Sequence, residues 1–213
     1  MRRPDELKYS ADNTAVIGVA NKDISYISIP NHIKTIGVGA FSQCRKLEEV
    51  NIPCSVTTIQ SAAFYNCTSL QCIDIPDSVT KIGDCAFKGC SSLENIVIPN
   101  GVTMIESSAF QYCSALESIR IPDSVETIPP FAFCGCSALK RIHIPNNVTN
   151  IGNGAFRFCS ALETFDIPNS VTCIGEGVFT GCSCLKEIRM HSGTILTNIT
   201  NQIFGKNINI VIE

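Results

Sequence analysis

Apolar positions along this chain return with a fixed period of 23 residues. The period is clearest in a column of phenylalanines. A cysteine follows each of them after three residues, and a leucine follows that cysteine after three more. The phenylalanines are Phe41, Phe64, Phe87, Phe110, Phe133, Phe156 and Phe179. Because the spacing is free of insertions, residues 24–190 are predicted to form seven regular repeats of one solenoid, without an internal domain boundary.

Each repeat can be written L-x-x-I-x-I-P-x-x-V-x-x-I-G-x-x-A-F-x-x-C. Its I-x-I segment has period two and β-branched residues, so it predicts a short strand that the following proline ends. Its A-F-x-x-C segment predicts one short helical or 3₁₀ turn. The residues expected to cap this turn are Ser61, Asp84, Ser107 and Asn153 before it, and Gly89, Gly135 and Gly181 after it. The predicted fold class is an α/β solenoid with a parallel β-sheet on one face and short helical turns on the other.

Both ends of the chain depart from the repeat. The stretch AVIGVANKDISYISIP before the second repeat reads as an irregular strand pair, and the chain stops in the strand-like segment INIVIE. Atypical ends are expected of a solenoid, because an unprotected end exposes core and sheet edge. The whole chain, 1–213, is thus predicted to be a single domain, with an N-terminal cap over 1–23 and an irregular C-terminal cap over 191–213.

These repeats resemble the BspA-like, Treponema-type class of leucine-rich repeats, over about residues 24–190. The resemblance implies a right-handed arc with a parallel sheet on one face. Members of this family are typically surface or secreted proteins of host-associated microbes that act in adhesion and protein binding. The resemblance therefore implies a non-catalytic scaffold, adhesin-like, whose partner is a host or matrix surface protein. Two alternatives stay open: an intracellular interaction or immune-recognition protein, and a glycan-binding module.

The composition of the chain argues against some classes of binding partner. The net charge is -3 and no run of Lys or Arg occurs, which argues against nucleic acid. No stretch approaches the length of an apolar membrane span, so membrane insertion is not expected. The first residues, MRRPDELKYS, carry no apolar run and do not read as a signal peptide. A cytoplasmic location is therefore an alternative to the cell surface or secretion that the family resemblance implies.

Thirteen cysteines are the most unusual feature of the composition. Seven share one repeat position and are expected to stack as a ladder of buried free thiols, because parallel Cβ vectors do not supply disulfide geometry. The remaining six fall at different repeat positions and the total is odd, so no disulfide framework is expected. No C-x-x-C or H-x₃₋₅-H pair occurs, and we expect neither a metal site nor a cofactor. Without a phosphate loop or a clustered nucleophile and base, an enzyme is not expected.

The variable positions of the strand are the candidates for binding. If the isoleucines of I-x-I point inward, the residues alternating with them point outward. One outward column is predicted to be Glu49, Cys72, Asn95, Ser118, Arg141, Thr164 and Glu187. The other is predicted to be Asn51, Asp74, Val97, Arg120, His143, Asp166 and Arg189. Within these columns Arg120, Arg141 and His143 form a basic patch followed by Asp166 and Arg189, and these five are the predicted ligand-binding residues. A solvated face with cross-strand pairs such as Asp166–Arg189 is the alternative.

Overall fold

The computed structural model describes residues 7–190 and 208–212, which form short β-strands joined by turns. The strands are β1 (Leu7–Tyr9), β2 (Ala15–Val19), β3 (Tyr26–Ser28), β4 (Thr35–Ile36), β5 (Glu49–Asn51), β6 (Thr58–Ile59), β7 (Cys72–Asp74), β8 (Lys81–Ile82), β9 (Asn95–Val97), β10 (Met104–Ile105), β11 (Ser118–Arg120), β12 (Thr127–Ile128), β13 (Arg141–His143), β14 (Asn150–Ile151), β15 (Thr164–Ile167), β16 (Cys173–Ile174), β17 (Glu187–Met190) and β18 (Asn209–Ile212).

The solenoid has two parallel β ribbons rather than one. The strands from β3 to β17 with odd numbers belong to the I-x-I segment and build the first ribbon, called the first sheet, as predicted; its hydrogen bonding is interrupted between β5 and β7 and between β13 and β15. Those from β4 to β16 with even numbers belong to the V-x-x-I segment and build a second ribbon, called the second sheet, which is interrupted between β10 and β12 and which the sequence did not predict. In both sheets each strand pairs in parallel with its equivalent one repeat away, as in Ile119↔Ile142 and Ile59↔Ile82. Each coil therefore repeats the backbone of the one before it.

The predicted helical or 3₁₀ turns are wrong, because the described residues contain no helix. In the coil that contains Phe41, the N–H groups of Ser42 and Cys44 each donate to the carbonyl three residues earlier, at 3.0 Å. The alternate N–H groups of Phe41 and Gln43 donate to carbonyls of the next coil, at 2.8 and 2.7 Å. Half of the donors in this segment thus stabilise the stack instead of a helix.

Two left-handed positions per coil also prevent a helix. They lie two residues before and two residues after each phenylalanine of the column, with φ between 54° and 80°. L residues in a right-handed helix need a negative φ. The expected glycines Gly89, Gly135 and Gly181 do occupy one of these positions. The predicted N-caps Ser61, Asp84, Ser107 and Asn153 consequently cap nothing.

Identical side chains stack from coil to coil and form one continuous core. The rings of Phe87, Phe110 and Phe133 lie 5.5 and 5.6 Å apart, with interplanar angles of 3° and 1°. A centroid distance longer than the strand spacing means that the rings are offset, which is the favoured arrangement. The stack loosens to 6.3 Å between Phe156 and Phe179, where Phe165 packs against both rings.

Polar ladders run beside the apolar columns. Ladder thiols such as Cys113 and Cys136 are fully buried and donate to phenylalanine carbonyls of the preceding coil, both at 3.2 Å. Hydroxyl ladders do the same at three further positions, as Ser78 does to Val56 at 2.6 Å, Thr80 to Thr57 at 3.4 Å and Ser114 to Ser91 at 3.2 Å. The predicted ladder of buried free thiols is confirmed. The phenylalanine carbonyls also accept from a local N–H, as Phe110 does from Cys113 at 3.2 Å, so each thiol is a second donor that links neighbouring coils.

The N-terminal end is closed by an antiparallel strand, β1, which pairs with β2. β2 pairs in parallel with β4 of the second sheet, and β3 pairs in parallel with β5 of the first sheet. The two strands predicted within AVIGVANKDISYISIP therefore exist, but they pair with different sheets and not with each other. At the other end β18 adds to β17. The rest of the predicted caps, 1–6, 191–207 and 213, lies outside the described residues.

Candidate functional site

The exposed face of the first sheet presents the two columns that the repeat predicts. Each odd-numbered strand from β5 to β13 alternates an exposed, a buried and an exposed residue. The pairing places Ser118 opposite Arg141 and Arg120 opposite His143. Residues opposite each other in neighbouring strands come close enough for their side chains to interact. The five predicted binding residues therefore lie on one face, on strands β11 to β17.

Three of these residues form a basic cluster, defined as Arg120, Arg141 and His143. All three are exposed, and within the part of the chain that the structure describes none has an acidic partner within salt-bridge distance. Guanidinium groups offer five donors each in a planar fork that matches carboxylate geometry. The basic cluster is thus able to accept an anionic group from another molecule without breaking an internal contact.

The other two predicted residues are engaged within the molecule. Arg189 lies 3.9 Å from Asp166 on the preceding strand, as the sequence suggested. It lies closer to Glu187, which is two residues earlier on the same strand and whose Oε1 accepts from Nε at 2.6 Å. This exposed triad is an internal charge network. We therefore separate it from the basic cluster.

The surroundings of the basic cluster are apolar on one side and charged on the other. Val97 lies opposite Arg120 and is 73% exposed. Beside Arg141, Lys140 donates to Glu117 at 3.2 Å. A partner that meets this face can therefore combine an apolar contact on β9 with ionic contacts on β11 and β13.

A second set of exposed residues lies on the turn side, and sequence reasoning missed it. Tyr112, Phe131 and Phe158 are 49%, 37% and 45% exposed, and all three have left-handed backbone with φ of 61°, 57° and 61°. Each ring covers the glycine one repeat later, as Phe131 covers Gly154. A signal was present in the sequence: an aromatic residue is followed by glycine after 23 residues at three places.

The described part of the chain contains neither a cluster of metal ligands nor an activated thiol in the cysteine ladder. No group of three or more His, Cys, Asp or Glu side chains there is arranged to hold a metal ion. Burial raises the pKa of the ladder thiols Cys44 and Cys182 to about 11, and that of Cys90 to about 12. These thiols stay protonated near neutral pH, whereas nucleophilic cysteines have a lowered pKa. Nor does any helix of the described residues have the length and apolarity to cross a bilayer.

The profile of the BspA type leucine-rich repeat region matches residues 19–128 and 103–212. The chain belongs to this family. A search of curated proteins returned no match. Among solved structures, a leucine rich cell surface protein from Faecalibacterium prausnitzii is 31% identical, with a TM-score of 0.59. The match covers 89% of this chain and 60% of that protein, so this leucine-rich repeat chain spans less than two thirds of its relative.

Two further solved structures are similar to this chain. A leucine-rich repeat protein from Bacteroides ovatus is 29% identical, with a TM-score of 0.64, and the match covers 99% of this chain and 67% of that one. The leucine-rich repeat protein of Treponema pallidum is 27% identical, with a TM-score of 0.66. Its match covers 92% of this chain and 91% of that chain. The family resemblance read from the repeats is confirmed.

Proposed function

We propose that this leucine-rich repeat chain is a non-catalytic protein-binding scaffold whose partner docks on the exposed face of the first sheet. The observation that carries the proposal is the basic cluster. Arg120, Arg141 and His143 lie together on two adjacent strands, exposed and without an acidic partner among the described residues. The core columns around them hardly change from coil to coil, while the outward columns change at every step. Repeat proteins typically use such extended variable surfaces for recognition.

The charge of the cluster defines the partner. An acidic group on the partner would meet two guanidinium forks, each able to make charge-assisted hydrogen bonds. Val97 supplies an exposed apolar contact beside them. We therefore propose a protein partner with a carboxylate flanked by an apolar side chain. The description of the Faecalibacterium relative as a cell surface protein supports an adhesin-like role toward a host or matrix surface protein.

The test compares two variants with equal charge loss. In the sheet variant Arg120, Arg141 and His143 are replaced by Ala. In the control variant the turn-side Lys88 and Lys34, which directly precedes β4, are replaced by Ala. Binding of each to immobilised purified matrix proteins is measured by surface plasmon resonance, with serum albumin as the negative surface. Charge-assisted hydrogen bonds contribute about 1.5–3 kcal/mol each, so the sheet variant should bind at least about tenfold more weakly.

The control variant should bind as the wild type does, and both should unfold at the wild-type temperature, because exposed substitutions change stability by less than about 0.5 kcal/mol. The loss should be larger at low than at high ionic strength. Equal affinity of the sheet variant and the wild type, or loss of binding in the control variant alone, would show that the partner docks elsewhere. Absence of binding to every matrix protein would remove the matrix partner from the proposal.

A further inference from the structure

We propose that the turn side carries a second, independent site, which binds a neutral pyranose sugar. An open groove of about 470 Å³ runs across three coils there, a size within the range of small-ligand sites. It is distinct from the basic cluster, which lies on the first sheet. Its lining includes Phe131, Asn153, Gly154, Arg157, Glu176 and Thr180.

The groove exists because one column of side chains is interrupted. The position two residues before each core phenylalanine holds Ala62, Cys85, Ser108 and Phe131 in successive coils, and then Gly154 and Gly177. Two coils in succession therefore lack a side chain at this position. The Phe131 ring lies over the first of them, Gly154, so the open part of the gap is one coil, about 5 Å, at Gly177. Glycine at position 177 lets a ligand approach the backbone closely.

Phe131 closes one end of this gap with an exposed aromatic ring. Its backbone has φ of 57°, the left-handed conformation that this position has in every coil. A Cβ atom at Gly154 would lie 2.6 Å from Cε1 of this ring, so the aromatic residue and the glycine are matched. An exposed ring at the end of a polar groove offers a flat apolar surface on which the C–H face of a pyranose can stack.

The two walls offer hydrogen-bonding groups of both kinds. On one wall Asn153 is fixed because its Oδ1 accepts from the N–H of Glu176 at 2.9 Å. On the other, the Arg157 guanidinium carbon lies 4.8 Å from the centroid of the Phe158 ring, which holds this side chain in place. Arg157 and Glu176 do not form a salt bridge with each other in the described structure.

A neutral sugar matches these walls better than an ion does. The groove contains one carboxylate and one guanidinium, so its formal charge is balanced. The carboxylate accepts, the guanidinium donates, and the amide of Asn153 and the hydroxyl of Thr180 complete the set. Sugar hydroxyl groups both donate and accept, so one ring can satisfy opposite walls at once. The ligand class assigned to the groove is therefore a hexopyranose of a glycan.

An NMR titration detects ligand binding at the floor of the groove directly. The ¹⁵N-labelled protein is titrated with the methyl glycosides of glucose, galactose and mannose and with N-acetylglucosamine, at millimolar concentrations. The amide signals of Gly154 and Gly177 should shift in a saturable way with at least one of these probes. If neither amide shifts with any of the four sugars, the proposal is overturned.

Two matched variants test the role of the ring. Phe131→Gly removes it at a position where glycine already occurs in other coils, and it should weaken binding at least about tenfold. Tyr112→Gly removes an equivalent left-handed aromatic residue outside the groove, again where other coils have glycine, and it should leave the affinity unchanged. Equal effects of the two variants would overturn the site.

Glu176→Gln tests the neutrality of the ligand. The amide retains an acceptor and adds a donor, so binding of a neutral sugar should persist. Loss of the sugar-induced shifts of Gly154 and Gly177 in this variant would contradict binding that is independent of the Glu176 charge.

Discussion

The cysteine ladder should make the fold unusually sensitive to alkaline pH. Its seven thiols are buried, and burial raises the pKa of each above that of a free thiol. In the unfolded chain these thiols ionise near pH 8.5. Above that pH the unfolded chain has released protons that the folded chain still binds. Stability is therefore fully present below about pH 8.5 and falls as the pH rises.

The magnitude follows from the number of thiols. Each thiol that is ionised only in the unfolded chain lowers the free energy of unfolding by about 1.4 kcal/mol per pH unit. With seven of them the slope approaches about 9 kcal/mol per pH unit. The two end thiols, Cys44 and Cys182, ionise in the folded chain near pH 11, so the full slope applies below that pH. Because domains have about 5–15 kcal/mol of stability, unfolding is expected between about pH 9 and 10.

Urea unfolding followed by circular dichroism measures this slope, under argon and with a chelator, at closely spaced pH values from about 8 to 10.5. Two single variants separate the ladder from other groups that titrate. Cys113→Ala removes one buried thiol and should reduce the slope by about 1.4 kcal/mol per pH unit. Cys54→Ala removes an exposed thiol and should leave the slope unchanged. A total slope below about 3 kcal/mol per pH unit, the value for two thiols, would refute the buried ladder.

Three further predictions concern packing and access. Phe110→Ala should lower the free energy of unfolding by about 3–5 kcal/mol, since the ring is fully buried between two others; an unchanged urea midpoint would contradict the stack. Gly135→Ala should lower the free energy of unfolding by more than about 1 kcal/mol, because its φ is 78° and its new methyl group would meet the ring of Tyr112. The double variant with Tyr112→Gly should recover part of this loss. Strictly additive effects of the two substitutions would rule out the contact. Alkylation of the native protein at neutral pH should label three thiols first, and mass analysis finding a ladder thiol among them would contradict the burial. The three exposed thiols are Cys54, Cys72 and Cys184.

Period-two alternation places Cys72 on the outward face of the first sheet, and the structure confirms this position. Cys54 and Cys184 are exposed as well, in the segments that join sheets and turns. Period-two alternation identifies outward residues only within strands, so it gave no information on those segments.

The strands, the core columns and the outward face could be predicted because they depend on periodicity. Period two in I-x-I and period 23 between repeats fix which residues stack and which face solvent. The second sheet could not be predicted, since strands of two residues such as Thr58–Ile59 are too short to show alternation. Its pairing is imposed by stacking of the first sheet one repeat away.

The turns were mispredicted for a different physical reason. Ala62 and Phe131 adopt left-handed backbone, with φ of 55° and 57°, although neither residue favours it. Hydrogen bonds to the next coil stabilise this conformation, as for Ala62, whose N–H donates to the carbonyl of Asp84 at 2.8 Å. Local sequence propensity does not include hydrogen bonds between coils, so Ser61 and Asp84 were interpreted as helix caps. The exposed face of the first sheet was affected in the same way: the Asp166–Arg189 contact could be predicted, but the closer Glu187–Arg189 contact could not.

The most direct test of the proposed binding face is a thiol footprint of the complex. Ser118→Cys places a reactive group beside Arg141 and on the same strand as Arg120, while the native exposed Cys54 and Cys184 serve as references in the same molecule. Alkylation rates are measured by mass spectrometry with and without the matrix protein bound. A partner on the sheet face should slow alkylation at position 118 several-fold and leave Cys54 and Cys184 at their free rates. Protection of Cys54 or Cys184 with an unchanged rate at position 118 would contradict the account.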